Sequence, residues 1–177
     1  LEAAGILLES DTDTEVVAHL MARALPEVGN SLPLAMQAVC SRLEGAFTLV
    51  VIDRDQPDLV VGARRNSPLV VGLGEGGNFL ASDVSAFVEH TRSALELGQD
   101  QIVIMKADSI VVTDFSGNVV EAKPFTIDWD ASSAEKGGFE WFMQKEISEQ
   151  PKAVADSLLG RIDESYRIKL DELSIDP

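Results

Sequence analysis

Two aspartates that flank the start of a predicted helix are the clearest candidates for chemistry in this sequence. Asp11 and Asp13 lie in the run Ser-Asp-Thr-Asp-Thr-Glu at 10–15, where Thr12 and Glu15 have the spacing of a capping box. Carboxylates at such a position are stabilised by about 0.3–1 kcal/mol through the positive end of the helix. Residue type and spacing favour a structural role for both aspartates and leave open the binding of a cation.

Three other patterns could carry chemistry, and each fits a simpler structural role. The glycine-rich stretch 72–77 lacks the Lys-Ser/Thr pair of a phosphate-binding loop and precedes a strand rather than a helix. Cys40 falls on the apolar face of a predicted helix with no neighbouring histidine, where a thiol packs as a small hydrophobe. His19 and His90 do not have the spacing of metal ligands. We therefore expect no phosphate site, no catalytic cysteine and no metal site from these residues.

Two amphipathic helices are predicted near the start of the chain. The first begins at Thr12 and ends where Pro26 and Gly29 interrupt its apolar stripe. The second covers about 32–43, where apolar side chains recur on one face. Each helix therefore has one face to bury.

From residue 46 the apolar pattern becomes that of β-strands. Short apolar runs rich in β-branched residues alternate with Gly, Asn, Ser and Pro, which is typical of tightly connected antiparallel strands. The predicted strands are 46–52, 59–63, 69–73, 78–81, 101–107, 110–115 and 119–120. The first of them is almost wholly apolar, as in a strand buried on both faces. The pattern predicts a meander.

Helices that precede a run of antiparallel strands indicate an α+β fold with the helices on one face of a sheet. Because the strands are apolar on both faces, a second covering layer is needed, and we expect it to come from sequence outside this chain. Residues 131–138 have the composition of a linker. A helix is predicted over 139–150, interrupted by Pro151 and followed by a second helix over 152–159.

Charge and composition exclude several classes of partner. The chain has 177 residues, 45% hydrophobic, so it can bury a sizeable core. Its 14 Lys+Arg and 30 Asp+Glu give a formal charge of −16, which phosphate backbones and anionic lipids repel. We therefore expect neither nucleic acid nor a membrane as a partner.

The location of the protein and the nature of its first residues can also be predicted. A single cysteine favours a reducing compartment, and no apolar run approaches the roughly 18 residues that span a bilayer. The start lacks the basic and apolar regions of a signal peptide, so we expect a cytoplasmic protein. Residues 1–4 resemble the last turn of a helix that ends at Gly5, which suggests a fragment.

Five motifs in a fixed order carry more information than any single pattern. The motifs are Ser-Asp-Thr-Asp-Thr-Glu with its following helix (10–20), Leu-Glu-Gly-Ala-Phe (43–47), Ser-Pro-Leu-Val-Val-Gly-Leu-Gly (67–74), Ala-Ser-Asp (81–83) and Phe-Met-Gln-Lys-Glu-Ile-Ser-Glu-Gln-Pro (142–151). In this order they closely resemble the isomerising glutamine–fructose-6-phosphate aminotransferase family. Each motif alone is modest support, but five in this order make chance similarity improbable.

The resemblance implies a fold and a division into domains. It implies that residues 1–130 are the C-terminal part of a glutaminase domain, the second half of a four-layer αββα fold of the N-terminal-nucleophile hydrolase type. Residues 131–177 would be the connector and the start of a sugar-phosphate isomerase domain. The intact enzyme would be a homodimer without metal or organic cofactor, converting glutamine and fructose 6-phosphate into glutamate and glucosamine 6-phosphate.

The resemblance also implies which site residues this chain carries. In the family, an N-terminal cysteine attacks the glutamine amide and an Asn-Gly pair holds the oxyanion. Both belong to family segments that precede Leu1, so no catalytic residue is expected here and the fragment alone should be inactive. Asp13 is the exception, because the family uses the aspartate of Thr-Asp-Thr-Glu to bind the α-amino group of glutamine.

Two alternatives remain open at this point. One is a non-catalytic β-rich module for oligomerisation or ligand sensing, which would need no nucleophile and would leave no apolar sheet exposed. The other is a different glutamine amidotransferase with the same fold, such as the phosphoribosylpyrophosphate enzyme. The Lys-Glu-Ile-Ser-Glu-Gln-Pro segment at 145–151 argues against that second alternative.

Overall fold

The computed structural model describes residues 5–128, 137–159, 161, 162 and 167. The chain divides into two compact units, Leu1–Trp129 and Asp130–Pro177. The helical turn predicted for 1–4, most of the linker predicted for 131–138, and residues 168–177 lie outside the described residues. Gly5 has a φ of +74°, the left-handed conformation that commonly follows a helix.

Two helices open the described part of the first unit. Helix α1 is Asp13–Glu27, and Thr12 at its N-cap accepts a hydrogen bond from the backbone N–H of Thr14 at 3.4 Å. Helix α2 is Leu32–Cys40, with proline in its first turn and its end three residues before the predicted one. The predicted helices are thus confirmed, although Pro26 lies inside the last turn of α1 rather than after its end.

Within residues 5–128, eight strands follow and form two four-stranded sheets in which every pair is antiparallel. The first sheet has the order β1-β2-β6-β7 and the second the order β4-β3-β5-β8. The strands are β1 Phe47–Asp53, β2 Gln56–Arg65, β3 Val70–Gly74, β4 Gly77–Ala81, β5 Ser93–Glu96, β6 Gln101–Met105, β7 Ile110–Asp114 and β8 Lys123–Thr126. The predicted run at 119–120 contributes only an isolated bridge between Val119 and Thr113.

The predicted meander is wrong, because the chain changes sheet three times. It leaves the first sheet after β2, builds β3, β4 and β5 in the second, returns for β6 and β7, and ends with β8 in the second sheet. Pairing of β2 with β6, for example Val61 opposite Ile104, therefore joins segments far apart in sequence. Turn residues reveal where each strand ends, but not which sheet the next strand joins.

The expectation that the second layer comes from outside the chain is also wrong. One core lies between the helices and the first sheet, where Met36 and Cys40 of α2 pack with Val61 and Ile102. A second core joins the two sheets, with Val71 of β3 packed against Val103 and Val112. The described residues of the first unit thus supply three layers: helices, a first sheet and a second sheet.

The two sheets lie close together at Gly62. A Cβ added there would lie 2.7 Å from Leu80 Cδ2 of the second sheet and 3.0 Å from Val103 Cγ1. No larger residue fits without displacing a neighbour. This close approach is the physical reason for glycine in the middle of a strand.

One part of the inner face of the first sheet is exposed. Val50 pairs with Gly62 and Ile52 pairs with Val60, so both side chains face the same way as Gly62. Their exposed fractions are 53% and 72%. The prediction that β1 is buried on both faces is therefore wrong within the described part of the chain, since no described residue covers this edge.

The second unit contains a single described helix. Helix α3, Phe142–Leu158, continues through Pro151, so the predicted interruption is wrong. Proline removes one donor from the helix, but every residue of the helix except Lys145 is exposed to solvent, and the turn after Pro151 is bridged by the ion pair of Lys152 with Asp156. None of the helices described is long and apolar enough to cross a membrane.

Candidate functional site

The turn that leads into α1 places Asp13 at the first helical position, exposed to solvent. The preceding residue, Thr12, is extended, with φ −87° and ψ 136°, so the chain changes direction there. The hydroxyl of Thr14 donates to Asp13 Oδ1 at 3.5 Å, which is a weak hydrogen bond. The Asp13 carboxylate therefore remains available at the positive end of the helix.

Glu15 stabilises this turn in a way that differs from the predicted capping box. Its carboxylate does not accept the N–H of Thr12 but reaches further back, to the N–H groups of Glu9 at 2.7 Å and Ser10 at 2.8 Å. The Ser10 hydroxyl donates to the same carboxylate. These hydrogen bonds, that of the Ser10 side chain foremost, lower the pKa of Glu15 to about 2. Glu15 is therefore ionised throughout the neutral range, and His19 Nε2 lies 3.5 Å from it.

The chemistry available at Asp13 is the recognition of a cation. An exposed carboxylate on a rigid helix start forms charge-assisted hydrogen bonds with an ammonium group, and these are stronger than bonds between neutral groups. No ion pair to Asp13 is present among residues 5–128. Asp11 is exposed nearby but precedes the helix.

Cys40 is fully buried in the helix–sheet core, as predicted. Burial raises the pKa of its thiol to about 12, and the nearby Arg65 only partly opposes this effect. A thiol in this environment is neither ionised nor accessible, so it cannot serve as a nucleophile.

In the full-length enzyme that the sequence resemblance implies, we expect Cys40→Ser to leave kcat/KM for glutamine within about twofold of the wild-type value, because the thiol is buried and protonated. Steady-state kinetics normalised to folded protein would check this. A large loss of kcat with an unchanged thermal unfolding transition would show that Cys40 belongs to the reaction.

The glycine-rich stretch forms the β3–β4 hairpin and is followed by a strand, so the structure agrees that it is not a phosphate loop. A cleft of about 660 Å³ lies beside the hairpin turn, next to Phe79 and His90. The His90 ring stacks on Phe79 with centroids 5.3 Å apart.

The two histidines lie in different parts of the fold. His19 belongs to α1 and His90 lies beside the second sheet, and the part of the chain described has no group of three residues that could hold a metal.

A cluster around Arg65 could not be predicted from the sequence. The guanidinium carbon lies 5.6 Å from the ring centre of Phe47 and 5.0 Å from that of Phe115, and Nε donates to Asp100 at 2.7 Å. The hydrogen bond to Asp100 raises the pKa of Arg65. The cluster ties the ends of β1, β2 and β7 together, and its members lie far apart in the sequence.

The helices and the two stacked antiparallel sheets correspond to a known class of protein. The fold is α+β and of the class II glutamine amidotransferase type, an N-terminal-nucleophile hydrolase fold. A family model described as "Glutamine amidotransferase domain" matches residues 1–89, half of the chain, and the chain belongs to this family.

The particular relatives are enzymes named glutamine–fructose-6-phosphate aminotransferase [isomerizing]. The one from Streptomyces coelicolor is 60% identical over 173 residues, 98% of this chain. Those from Corynebacterium diphtheriae and Mycobacterium leprae are 57% and 53% identical over 94% and 97% of it. The resemblance predicted from the five motifs is confirmed. The chain spans about 28% of the length of the curated relatives it matches.

A solved structure shows the same fold. It is described as glutamine phosphoribosylpyrophosphate amidotransferase from B. subtilis complexed with ADP and GMP, with a TM-score of 0.55 and 25% sequence identity. The match covers 67% of this chain and 26% of the other. The sequence is thus far closer to the fructose-6-phosphate enzymes than to this phosphoribosylpyrophosphate enzyme.

Proposed function

We propose that this chain is part of an enzyme that transfers the amide nitrogen of glutamine to fructose 6-phosphate, forming glucosamine 6-phosphate and glutamate. The observation that carries the proposal is the 60% identity to an enzyme of that name over 98% of the chain. The amidotransferase fold supports it. The intact enzyme would be a cytoplasmic homodimer that needs neither a metal nor an organic cofactor.

We further propose that residues 1–130 complete a glutaminase domain and that residues 131–177 form the connector and the start of a sugar-phosphate isomerase domain. The division of the chain into compact units at residues 129 and 130 supports this boundary. The exposed apolar side chains of Val50 and Ile52 support assembly with a further part of the same domain, since a self-contained module would cover them.

The role proposed for Asp13 is to bind the α-amino group of the substrate glutamine. Its carboxylate is exposed, is fixed at the first helical position and carries the charge that an ammonium group requires. In the intact enzyme, the N-terminal cysteine expected from the resemblance would attack the side-chain amide and release ammonia, leaving a glutamyl thioester. Asp13 would act at the opposite end of the substrate, by holding glutamine in place.

Comparison of the intact enzyme with the isolated 177-residue chain tests the proposal. We expect the intact enzyme to release glutamate from glutamine, and the isolated chain to release none above the uncatalysed rate, because its one cysteine is buried and protonated. Enzymatic determination of glutamate measures both. Steady glutamate release by the purified chain would contradict the assignment of the nucleophile, and an intact enzyme without glutaminase activity would contradict the function.

A further inference from the structure

The carboxylate of Glu15 is the main anchor of the segment that precedes α1. It accepts hydrogen bonds from two successive backbone N–H groups, those of Glu9 and Ser10, at 2.7 and 2.8 Å, and from the Ser10 hydroxyl. Burial does not provide this anchor, because Leu7 and Leu8 are 86% and 42% exposed. The path of the chain into α1 therefore depends on polar contacts.

The contacts continue from Glu15 to the residues on both sides of Asp13. Ser10 Oγ, which donates to Glu15, accepts the N–H of Thr12 at 3.4 Å. Thr12 Oγ1 in turn accepts the N–H of Thr14 at 3.4 Å. Asp13 thus lies between Thr12 and Thr14, whose backbone N–H groups belong to one hydrogen-bonded turn. The carboxylate of Glu15 completes that turn through its hydrogen bonds to Glu9 and Ser10.

We propose that Glu15 is a positioning residue for substrate binding, which holds Asp13 in the orientation that receives the α-amino group of glutamine. The proposal rests on the function proposed for Asp13. In this proposal Glu15 acts through Asp13 and not on the substrate, since its carboxylate is engaged by the N–H of Glu9 and by the N–H and the hydroxyl of Ser10. Without its carboxylate the exposed segment before α1 loses its attachment, and the carboxylate of Asp13 samples more orientations.

A substrate that lacks the α-amino group distinguishes an effect of Glu15 on the position of Asp13 from an effect on the stability of the whole protein. Glutaramate has the amide and the carboxylate of glutamine but no amine, so it cannot use Asp13. The measurement is kcat/KM for glutamine hydrolysis and for glutaramate hydrolysis by the intact enzyme and its variants. The ratio of the two values, the amine preference, reports only the contact to the amine.

We expect Asp13→Ala to abolish most of the amine preference. Glu15→Ala should reduce it about tenfold while kcat/KM for glutaramate stays within about twofold. Glu15→Gln should retain part of the preference, since its amide oxygen still accepts one backbone N–H. The double variant should show no lower preference than Asp13→Ala alone, because the two residues act through one contact.

Glu9→Ala is the matched control. It removes an acidic side chain from the same turn but keeps the backbone N–H that donates to Glu15, so the amine preference should not change. Equal losses of kcat/KM for both substrates in Glu15→Ala and Glu15→Gln would overturn the positioning role and leave Glu15 as a residue for stability alone. An unchanged amine preference in Asp13→Ala would instead overturn the function proposed for Asp13.

Discussion

Replacement of Asp13 by alanine in the intact enzyme is expected to raise the KM for glutamine by about 10- to 100-fold, with a much smaller effect on kcat. A hydrogen bond to a charged group contributes about 1.5–3 kcal/mol, and each 1.4 kcal/mol corresponds to a factor of about ten. The contact proposed for Asp13 is to the substrate amine, remote from the amide bond that would break. It therefore stabilises the bound substrate and the transition state alike, which appears in KM rather than in kcat.

Asp11→Ala is the matched control for this prediction. It removes the same charge from a residue two positions earlier, which is also exposed but lies before the helix. We expect its KM for glutamine to stay within about twofold of the wild-type value, since Asp11 is not proposed to contact the substrate and an exposed charge acts only weakly through water. Equal changes in KM for the two variants would show that charge near the helix start matters, rather than a specific contact by Asp13.

The second large effect concerns stability. Leu32→Ala is expected to lower the free energy of unfolding of the 177-residue chain by about 2–5 kcal/mol, because it removes a side chain from the core between the helices and the first sheet. Leu32 is 1% exposed and packs in the same cluster as Met36 and Cys40. Urea unfolding followed by far-ultraviolet circular dichroism measures the change.

Leu34→Ala provides the comparison within the same helix. Leu34 is 47% exposed, so the same substitution should cost less than about 1 kcal/mol. Both variants change helix propensity equally, and the difference between them isolates burial. Similar unfolding midpoints for the two variants would contradict the orientation of α2 on the first sheet.

Local patterns predicted most of the fold, whereas contacts between distant segments could not be predicted. Thr12 and the apolar rows located α1 and α2, and the β-branched runs located six of the strands. Strand β5, Ser-Ala-Leu-Glu, and strand β8, which contains Pro124, were missed because neither has an apolar run. Each is a strand because it pairs with a neighbour, Leu95 opposite Val71 in one case and Pro124 opposite Leu95 in the other.

At the candidate site, too, local patterns could be predicted from the sequence and the hydrogen-bond partners could not. Motif order predicts the role of Asp13, which stays a prediction, and the spacing of Thr12 and Glu15 marks the helix start, which the structure has at Asp13. The partners of Glu15 could not be predicted, because a glutamate at this position can accept N–H groups either at the N-cap or further back, and only the path of residues 9–12 decides between them. The Arg65 cluster left no signal in the sequence, because its aromatic rings come from strand β1 and from the residue that follows β7, far apart along the chain.

Transfer of nitrogen is the most direct test of the proposed function. The intact enzyme would be incubated with fructose 6-phosphate and glutamine labelled with ¹⁵N at the side-chain amide, and the products would be examined by mass spectrometry. We expect ¹⁵N in the amino group of glucosamine 6-phosphate, with one glutamate formed for each amino sugar. Glutamate that accumulates while the label remains in free ammonia, or an unlabelled sugar phosphate, would contradict the function proposed here.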